Sequence, residues 1–396
     1  MTAQQESLIS KALDSFEIEI PSWGFAQTGT RFGKFVQPGA AVTTEHKMAD
    51  AGQVHKLTGC CPSVAVHVVW DFPKGKAGAT EVASLAARHG VRVGAINPNL
   101  FEAQEYKYGT LGNPDPGVRR SALQHILDSI DIAREVGSRD ISLWFGDGSN
   151  YPGAANMRHR RAWFAEGLQA AHERLVDGER LLVEYKPFEP AFYHTDVADW
   201  GMAYLLAKAA GPRAKVLVDT GHHYHGQNIE QIVAWLLQDD MLGGFQFTDR
   251  RYADDDLTIA SIHPYQLFRI FHEIHYFQWE RGGDPHVGYM IDQSHNLKPK
   301  IEETIQTAMT AQEIFVKAAL VHHEALAGHQ RHCRLIDAEE CLKDAFAVDV
   351  RPVIRAWRRS KGLPENPLAA YRESGYQEKI DKERADANKG LVASYA

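Results

Sequence analysis

Carboxylates and one histidine occur in four clusters, each of which follows a short apolar stretch of the sequence. The clusters are Glu184-Tyr185-Lys186, Asp219-Thr220-Gly221-His222, Asp254-Asp255-Asp256 and Asp292. Oxygen ligands with a single imidazole suit Mn²⁺, Mg²⁺ or Co²⁺ better than a thiolate-type zinc site would. We therefore predict that the four clusters form one metal-binding site.

Each cluster taken alone also has an ordinary structural explanation. Glu184 and Lys186 lie two apart in a predicted strand and could form a surface ion pair. Asp219 and His222 could hydrogen bond across a turn, the acidic triplet could be a solvated loop, and Asp292 could cap a helix. A shared site is favoured by the combination, because the carboxyl ends of the strands of a closed barrel open onto one face.

The number of metal ions is predicted from charge. Five carboxylates in one cavity would repel one another and raise several of their pKa values, and two divalent cations would nearly cancel their charge. The five are Glu184, Asp219, Asp254, Asp256 and Asp292. We therefore predict two divalent cations in each subunit, with Mn²⁺ favoured over Co²⁺ or Mg²⁺.

A second group of candidate residues comes from earlier strands. His67, Trp70 and Asp71 lie within five residues, and a histidine near a carboxylate can act as an acid/base pair. The alternative is a buried histidine that is hydrogen bonded to the backbone. Trp144 lies at the end of the fourth apolar stretch, where its ring could cover one face of a sugar or pack in the core.

Composition sets the class of protein. The chain has 396 residues, of which 44% are hydrophobic and 24% are charged, so it can bury a large core. Its net charge of −8 disfavours a nucleic-acid surface. We find no apolar run near twenty residues and no secretory signal, and therefore expect a cytoplasmic protein that does not cross a membrane. The four cysteines are expected to be reduced thiols.

The fold is predicted from eight apolar stretches that alternate with helical patterns. The stretches are residues 20–26, 64–70, 91–96, 141–145, 181–185, 215–219, 243–247 and 288–291. Such alternation predicts parallel strands with helical crossovers, and we expect a closed (β/α)8 TIM barrel. A doubly wound open sheet would normally carry a glycine-rich nucleotide loop, and residues 145–149 are better explained as a tight loop after a strand.

The sequence changes character near Pro299. The barrel is predicted to occupy residues 1–298, with helices that include 121–136, 156–175, 228–237 and 264–277. Residues 299–396 are predicted to form a helical C-terminal extension, with helices at 300–330, 337–359 and 367–383. An extension of this kind is expected to pack along the barrel and against a neighbouring subunit.

The polar motifs occur in the order Glu-x-Lys, Asp-x-x-His, Asp-x-Asp and a final Asp, with an upstream His and Asp and a Trp at a strand end. This order resembles that found in the metal-dependent aldose–ketose isomerases of the xylose isomerase-like barrel group. More narrowly, the sequence from about residue 16 to beyond residue 296 resembles bacterial L-rhamnose isomerases of the broad-specificity Pseudomonas and Streptomyces type. The motifs are Pro21-Ser22-Trp23-Gly24-Phe25-Ala26, Gly29-Thr30-Arg31-Phe32, Cys61-Pro62-Ser63-Val64-Ala65, Glu184-Tyr185-Lys186-Pro187-Phe188-Glu189-Pro190, Val218-Asp219-Thr220-Gly221-His222-His223, Tyr252-Ala253-Asp254-Asp255-Asp256-Leu257 and Ile291-Asp292-Gln293-Ser294-His295-Asn296.

The resemblance implies which residues hold each metal and which reaction follows. A first, structural metal would be bound by Glu184, Asp219, Gln246 and Asp292. A second, catalytic metal would be bound by His222, Asp254 and Asp256, with Asp219 as a bridge. The implied reaction converts L-rhamnose to L-rhamnulose by a metal-assisted hydride shift between C2 and C1. A route through an enediol would instead need a base on carbon, for which Asp292 is a candidate.

The resemblance also implies roles for the remaining residues. His67, aided by Asp71, would move the proton of the anomeric hydroxyl during ring opening. Lys186 would stabilise charge that develops on the carbonyl oxygen, and it would contact the substrate together with His222. Three aromatic residues would complete the sugar pocket: Trp70 and Trp144 from the same chain and Phe32 from a neighbouring subunit. A neighbouring subunit is implied because the family forms homotetramers.

One residue departs from the family pattern. The family has histidine in a Phe-His-Phe setting where this chain has Phe245-Gln246-Phe247. Glutamine can bind a metal through its carbonyl oxygen, but it is a weaker and harder donor than imidazole. The sequence therefore predicts weaker affinity for the first metal or a stronger preference for Mn²⁺ than in relatives with histidine.

Other functions remain open at this level. A ketose 3-epimerase on the same barrel would be expected to place a pair of glutamates around one metal. An endonuclease-type barrel would need a basic groove, and a non-catalytic sensor barrel would use the acidic mouth only to store ions. Among isomerases, L-mannose, L-lyxose, D-allose, D-ribose and L-ribose differ from L-rhamnose by single hydroxyl orientations or one carbon.

Overall fold

The computed structural model of the chain describes residues 2–27, 35–149, 151–187, 194–294 and 297–389. Eight parallel strands form one sheet, and their order in the sheet follows the sequence. They are β1 (Ile20–Pro21), β2 (Ser63–His67), β3 (Arg92–Asn97), β4 (Asp140–Leu143), β5 (Arg180–Glu184), β6 (Ala214–Asp219), β7 (Leu242–Phe247) and β8 (Gly288–Ile291).

The sheet closes on itself next to its first and last strands. Glu19 pairs with Met290 in a parallel bridge, and the backbone N–H of Ile291 donates to the carbonyl oxygen of Glu19 at 2.9 Å. The predicted TIM barrel is therefore confirmed, and the open doubly wound sheet is excluded. Outside the barrel, Gly148–Ser149 and His194–Thr195 form a short antiparallel pair.

Fourteen helices of seven or more residues lie in the described part of the chain. They are α1 (Ala3–Ser15), α2 (Thr44–Thr58), α3 (Ala79–Arg88), α4 (Pro116–Val136), α5 (Met157–Glu173), α6 (Trp200–Ala210), α7 (Ile229–Gln238), α8 (Pro264–Arg281), α9 (Lys300–Ala318), α10 (His323–Arg331), α11 (Leu335–Ala347), α12 (Arg351–Ser360), α13 (Pro367–Glu373) and α14 (Tyr376–Asn388). Each barrel strand is followed by one of the helices α2 to α9, and α9 packs against α8 and α2. The helical extension is confirmed, while the division at residue 298 remains a prediction.

Local chemistry explains how these elements begin and end. In α4, the side chain of Asp115 accepts the N–H of Gly117, Pro116 occupies the first turn, and Gly137 ends the helix with φ of 76°. The inner strands are apolar on both faces: Leu181 and Leu182 of β5 point to opposite faces, and both are buried. This pattern gives a rigid barrel whose strand ends can position side chains accurately.

Two predicted strands are shorter than expected. β1 ends at Pro21 and gives way to a 3₁₀ turn, and β2 ends at His67 before a helical turn at Val68–Asp71. The cause is the buried carboxylate of Asp71, which accepts the N–H of His67 at 2.9 Å and the hydroxyl of Ser22 at 2.6 Å. These hydrogen bonds hold the segments that follow β1 and β2 away from the sheet.

The three helices predicted in the extension are each divided into two. Residues 300–330 form α9 and α10, because the side chain of His322 accepts the N–H of Ala325 and starts a new helix. Residues 337–359 form α11 and α12, with Pro352 in the first turn of α12. Residues 367–383 form α13 and α14, separated by Gly375 with φ of 68°.

Candidate functional site

The carboxyl ends of the strands open onto a pocket of about 370 Å³. Ten residues predicted from the sequence line it: His67, Trp70, Trp144, Glu184, Lys186, His222, Gln246, Asp254, Asp256 and Asp292. Asp219 lies beneath this surface and is fully buried. Phe32 lies outside the described residues. The pocket has the size of a small-molecule site.

Strand register brings the first metal candidates together. β5 ends at Glu184 and β6 ends at Asp219, and the residue paired with Asp219 on β7 is Gln246. His222 follows in a turn that requires glycine, since a Cβ on Gly221 would lie 2.5 Å from the hydroxyl oxygen of Thr248. The turn therefore folds the imidazole back over the strand ends.

Glu184, Asp219 and His222 form a buried group whose ligand atoms all lie within 4.8 Å of one another. Nδ1 of His222 lies 3.1 Å from Oε1 of Glu184, and Nε2 lies 3.7 Å from Oδ2 of Asp219. That Asp219 oxygen is buried and accepts no hydrogen bond from the described residues. A buried carboxylate oxygen beside a second carboxylate and an imidazole is a donor set that fits a divalent cation.

The acidic triplet approaches the same group from a loop. Oδ2 of Asp254 lies 3.3 Å from Nε2 of His222 and 2.5 Å from Nζ of Lys186. Asp256 also lines the pocket, with a left-handed backbone conformation at φ of 50° that non-glycine residues adopt only when the surroundings enforce it. Asp255 instead accepts backbone N–H groups of the loop, including that of Tyr252 at 2.8 Å.

The electrostatics of this group reflect crowded carboxylates. Burial raises the pKa of Asp219 to about 6, against the opposing charge of His222. Burial and then the Asp219 carboxylate raise the pKa of Asp292 well above its usual range. Burial would lower the pKa of His222, but Asp219 and Asp254 outweigh it and raise that pKa well above its usual range. Burial also opposes ionisation of Asp254, yet the nearby Lys186 and His222 hold its pKa well below its usual range.

These shifts predict how stabilisation by metal depends on pH. Asp219, Asp292 and His222 all bind protons more tightly in the folded state, so their contribution to the free energy of unfolding falls as pH rises through their pKa values. A bound cation must displace these protons, so we expect added Mn²⁺ to raise the melting temperature more at about pH 8 than at about pH 5. Thermal unfolding followed by circular dichroism with and without Mn²⁺ measures both increases, and equal increases at the two pH values would contradict the expectation.

His67 lines the pocket among aromatic rings and is neutral. Burial, and then the Lys47 charge, lower its pKa to about 3. Its ring packs against Trp70 at 4.1 Å and Trp23 at 4.8 Å between centroids. Asp71 does not bond to the imidazole: its carboxylate contacts the backbone N–H of His67 and the ammonium of Lys47 at 2.6 Å. Asp71 therefore fixes the backbone conformation around His67. The predicted contact between the Asp71 carboxylate and the His67 imidazole is absent.

Several pocket residues were not predicted. Phe101 packs against Trp144 at 5.0 Å and against His67 at 5.7 Å, and it joins the aromatic wall. Trp23 donates its indole N–H to Oδ1 of Asp292 at 2.9 Å. Asn97, at the end of β3, also lines the pocket and could have been found by the strand-end rule that identified Glu184 and Asp219. Phe101 lies on a loop, where no sequence pattern indicates its direction.

Gln246 lies against Glu184 inside the site and is 3% exposed. The orientation of its amide that satisfies both groups places the nitrogen toward the carboxylate, where it donates to Oε1 at 3.1 Å and Oε2 at 3.0 Å. To offer its oxygen to a metal, the amide must turn over and give up both bonds. An imidazole at this position would not face that cost.

The helices and the cysteines bear on two predictions about the class of protein. None of the helices in the described part of the chain is long and apolar enough to cross a membrane. All four cysteines are free, and the sulfur atoms of the buried pair, Cys60 and Cys61, lie 3.8 Å apart.

Comparisons with known proteins identify a family and relatives that match most of the chain. The family model for the xylose isomerase-like TIM barrel matches residues 62–276. A Rhizobium meliloti protein named "Probable sugar isomerase" is 39% identical over 377 residues, which cover 93% of this chain and 86% of the relative. A protein of the same description from Mesorhizobium japonicum is 38% identical over 383 residues, covering 95% of this chain and 88% of the relative.

Solved structures resemble the barrel at lower identity. A xylose isomerase domain protein from Alicyclobacillus acidocaldarius superposes with a TM-score of 0.54 at 15% identity, covering 77% of this chain and 99% of that chain. A D-psicose 3-epimerase superposes with a TM-score of 0.51 at 13% identity, covering 80% of this chain and 99% of that chain. At such identities the likeness shows the fold alone.

Proposed function

This chain belongs to the xylose isomerase-like TIM barrel family, and from that premise we propose that it is a metal-dependent aldose–ketose isomerase acting on L-rhamnose and related aldoses. The observation that carries the proposal is one pocket lined by two kinds of side chain. It contains the carboxylates, His222 and Lys186, together with His67 and the aromatic rings of Trp70, Phe101 and Trp144. Carboxylates and aromatic faces together are suited to hold metal ions and a sugar side by side.

The proposed ligands divide into two sets that share Asp219. Glu184, Gln246 and Asp292 would complete the first set, which binds the structural metal. His222, Asp254 and Asp256 would complete the second, which binds the catalytic metal. Divalent cations held there would supply the Lewis acidity needed to polarise the sugar carbonyl. Mn²⁺ is proposed because the donors are mainly carboxylate oxygens with one imidazole.

The protein side chains would then do the remaining work. His67 is neutral, so it would take the proton of the anomeric hydroxyl and pass it to the ring oxygen as the bond between that oxygen and C1 breaks. The ammonium of Lys186 would stabilise negative charge on the carbonyl oxygen while hydrogen passes between C2 and C1. The rings of Trp70 and Trp144 would cover the apolar faces of the sugar and exclude water. In the enediol route, Asp292 would serve as the base, with one oxygen held by Trp23.

Metal removal and a panel of sugars test this function. We expect treatment with chelator to abolish isomerase activity and added Mn²⁺ to restore it. L-Rhamnose, L-mannose, L-lyxose, D-allose, D-ribose and L-ribose are compared by kcat/KM, and we expect the highest value with L-rhamnose. Interconversion of ketoses at C3 without any aldose product would instead identify an epimerase. Activity that survives chelation would refute the proposed role of the metals.

Substituting Gln246 tests the first metal set. We expect Gln246→His to bind the first metal more tightly and to lose part of the preference for Mn²⁺, because imidazole is a stronger donor and gives up no bonds to Glu184 on binding. Calorimetric titration of the stripped protein with Mn²⁺, Co²⁺ and Mg²⁺ measures both effects. Unchanged affinity and unchanged preference would show that residue 246 is not a ligand.

The proposed enzyme is expected to be a homotetramer. This expectation rests on the family resemblance, as does the proposal that Phe32 of one subunit enters the pocket of another. Light scattering on the purified protein measures the mass directly.

A further inference from the structure

A second cavity, of about 540 Å³, lies on the side of the barrel, among residues that the proposed reaction does not use. It is bordered by α9, by α12 and by the segment that leads into α13. Three arginines line it: Arg351, Arg355 and Arg358. Three cations at one cavity are unexpected in a chain whose net charge is −8.

Arg358 is a buried cation that has no carboxylate partner among the described residues. Its side chain is 3% exposed, and the guanidinium donates only to neutral oxygens: Oε1 of Gln312 at 2.7 Å and the backbone carbonyl of Glu365 at 3.4 Å. None of the ion pairs among the described residues includes Arg358, and its Nε is buried without an acceptor there. Burial of an unpaired charge is unfavourable, and an anion in the adjoining cavity would relieve it.

Arg355 adds a second positive charge to the same cavity. Its side chain is exposed, and it takes part in no ion pair with the residues that the structure describes. Burial lowers the pKa of Arg358, partly offset by the thiolate form of Cys60, and the nearby charge of Arg355 lowers that pKa further. Arg351 differs, because Asp349 pairs with it at 2.7 Å.

The two carboxylates that line the cavity already form ion pairs with other cations. Glu365 pairs with Arg359 at 2.7 Å, and Glu313 pairs with Lys317 at 3.2 Å. They therefore do not neutralise the two unpaired arginines, and the cavity keeps a net positive charge.

We propose that this cavity binds a small oxyanion, either inorganic phosphate or a small phosphate ester, through Arg355 and Arg358. The planar fork of N–H donors on arginine matches a tetrahedral oxyanion and can bind it with two parallel hydrogen bonds. The volume lies in the range of small-ligand sites, so an ester of a few carbons also fits. Both arginines belong to α12, so a bound anion would neutralise two cations of one helix and stabilise that part of the C-terminal extension.

The test uses the full-length protein and sodium phosphate, with sodium chloride at matched ionic strength as reference. We expect saturable phosphate binding by calorimetry and a rise in the melting temperature that chloride does not produce. Glycerol 3-phosphate forms the second arm: tighter binding than inorganic phosphate would identify an ester as the ligand, and equal binding would identify the phosphate group alone.

Matched variants decide whether the two arginines carry the binding. Arg355→Gln is expected to weaken phosphate binding by at least about tenfold, because it removes a charged group with several donors. Arg358→Lys keeps the charge but loses the fork, and it should also weaken binding. Arg334→Gln removes an exposed arginine that does not line the cavity, so the affinity should change by less than about twofold.

Three results would overturn the proposal. They are the absence of saturable phosphate binding, equal affinities in the Arg355 and Arg334 variants, and a change in subunit assembly on Arg355→Gln with no effect of phosphate. The last would show that the arginines meet a carboxylate of another subunit. Isomerase activity of Arg355→Gln without phosphate should match that of the unmodified protein, which makes this test independent of the proposed function.

Discussion

Asp254→Asn should lower kcat/KM for aldose isomerisation by more than about 100-fold, while Asp255→Asn should change it by less than about twofold. Loss of a group that merely supports a metal ligand typically costs about 10- to 100-fold, so loss of a ligand should exceed that range. The two residues are neighbours and the two changes are identical, so differences in charge or expression between the variants are minimal. Kinetics at saturating Mn²⁺ and metal titration of the stripped proteins provide the measurements.

The contacts of each residue explain the expected difference. The Asp254 carboxylate lies 3.3 Å from His222 and 2.5 Å from Lys186, and asparagine cannot supply its charge to a cation or to either neighbour. The Asp255 carboxylate accepts backbone N–H groups of Arg251 and Tyr252, and an asparagine oxygen can accept the same bonds. Equal losses in both variants would mean that the loop matters for folding and that Asp254 does not bind metal.

The position of most site residues could be predicted because they lie at strand ends. Glu184 and Asp219 are the last residues of β5 and β6, and Gln246 pairs with Asp219 across the sheet. Parallel strands in a barrel leave little freedom at these points, since register and burial fix which side chains face the mouth. The sequence order of apolar stretches was therefore sufficient to place these residues in one pocket.

Residues beyond the strand ends could not be placed in the same way. Asp71 was expected to contact the imidazole of His67, but the chain turns after β2 and brings the carboxylate to the backbone N–H group. Phe101 reaches the pocket from a loop after β3. In both cases the direction of the side chain depends on backbone turns set by distant partners such as Ser22 and Lys47, which no local pattern records.

The C-terminal extension shows a related limit of prediction from the sequence. Its apolar periodicity correctly predicts helices, but the periodicity continues across His322, where a side-chain cap starts a new helix. The burial of a charged side chain is a further property that the sequence pattern alone does not reveal. The arginines of α12 look like a solvated helical face in the sequence, whereas the structure buries Arg358 beside a cavity.

The second large effect is expected at Lys186. Lys186→Met should reduce kcat by about 100- to 1000-fold with a small change in KM, the loss typical of removing one group that stabilises charge in the transition state. Its ammonium lies 2.5 Å from Asp254 and 5.5 Å from the centre of the Trp144 ring, at the edge of the pocket. Saturating Mn²⁺ is required in the assay, because Lys186 also lowers the pKa of Asp254.

Lys215→Met is the matched control for this variant. Lys215 lies near the start of β6, at the opposite end of the barrel, and pairs with Asp240 at 3.0 Å. Its side chain is 13% exposed and that of Lys186 is 12% exposed, so both changes remove one similarly buried charge. A fall in kcat confined to Lys186→Met would place the effect on the reacting carbonyl. A similar fall in both would assign it to the stability of the barrel, since only one of the two lysines faces the pocket.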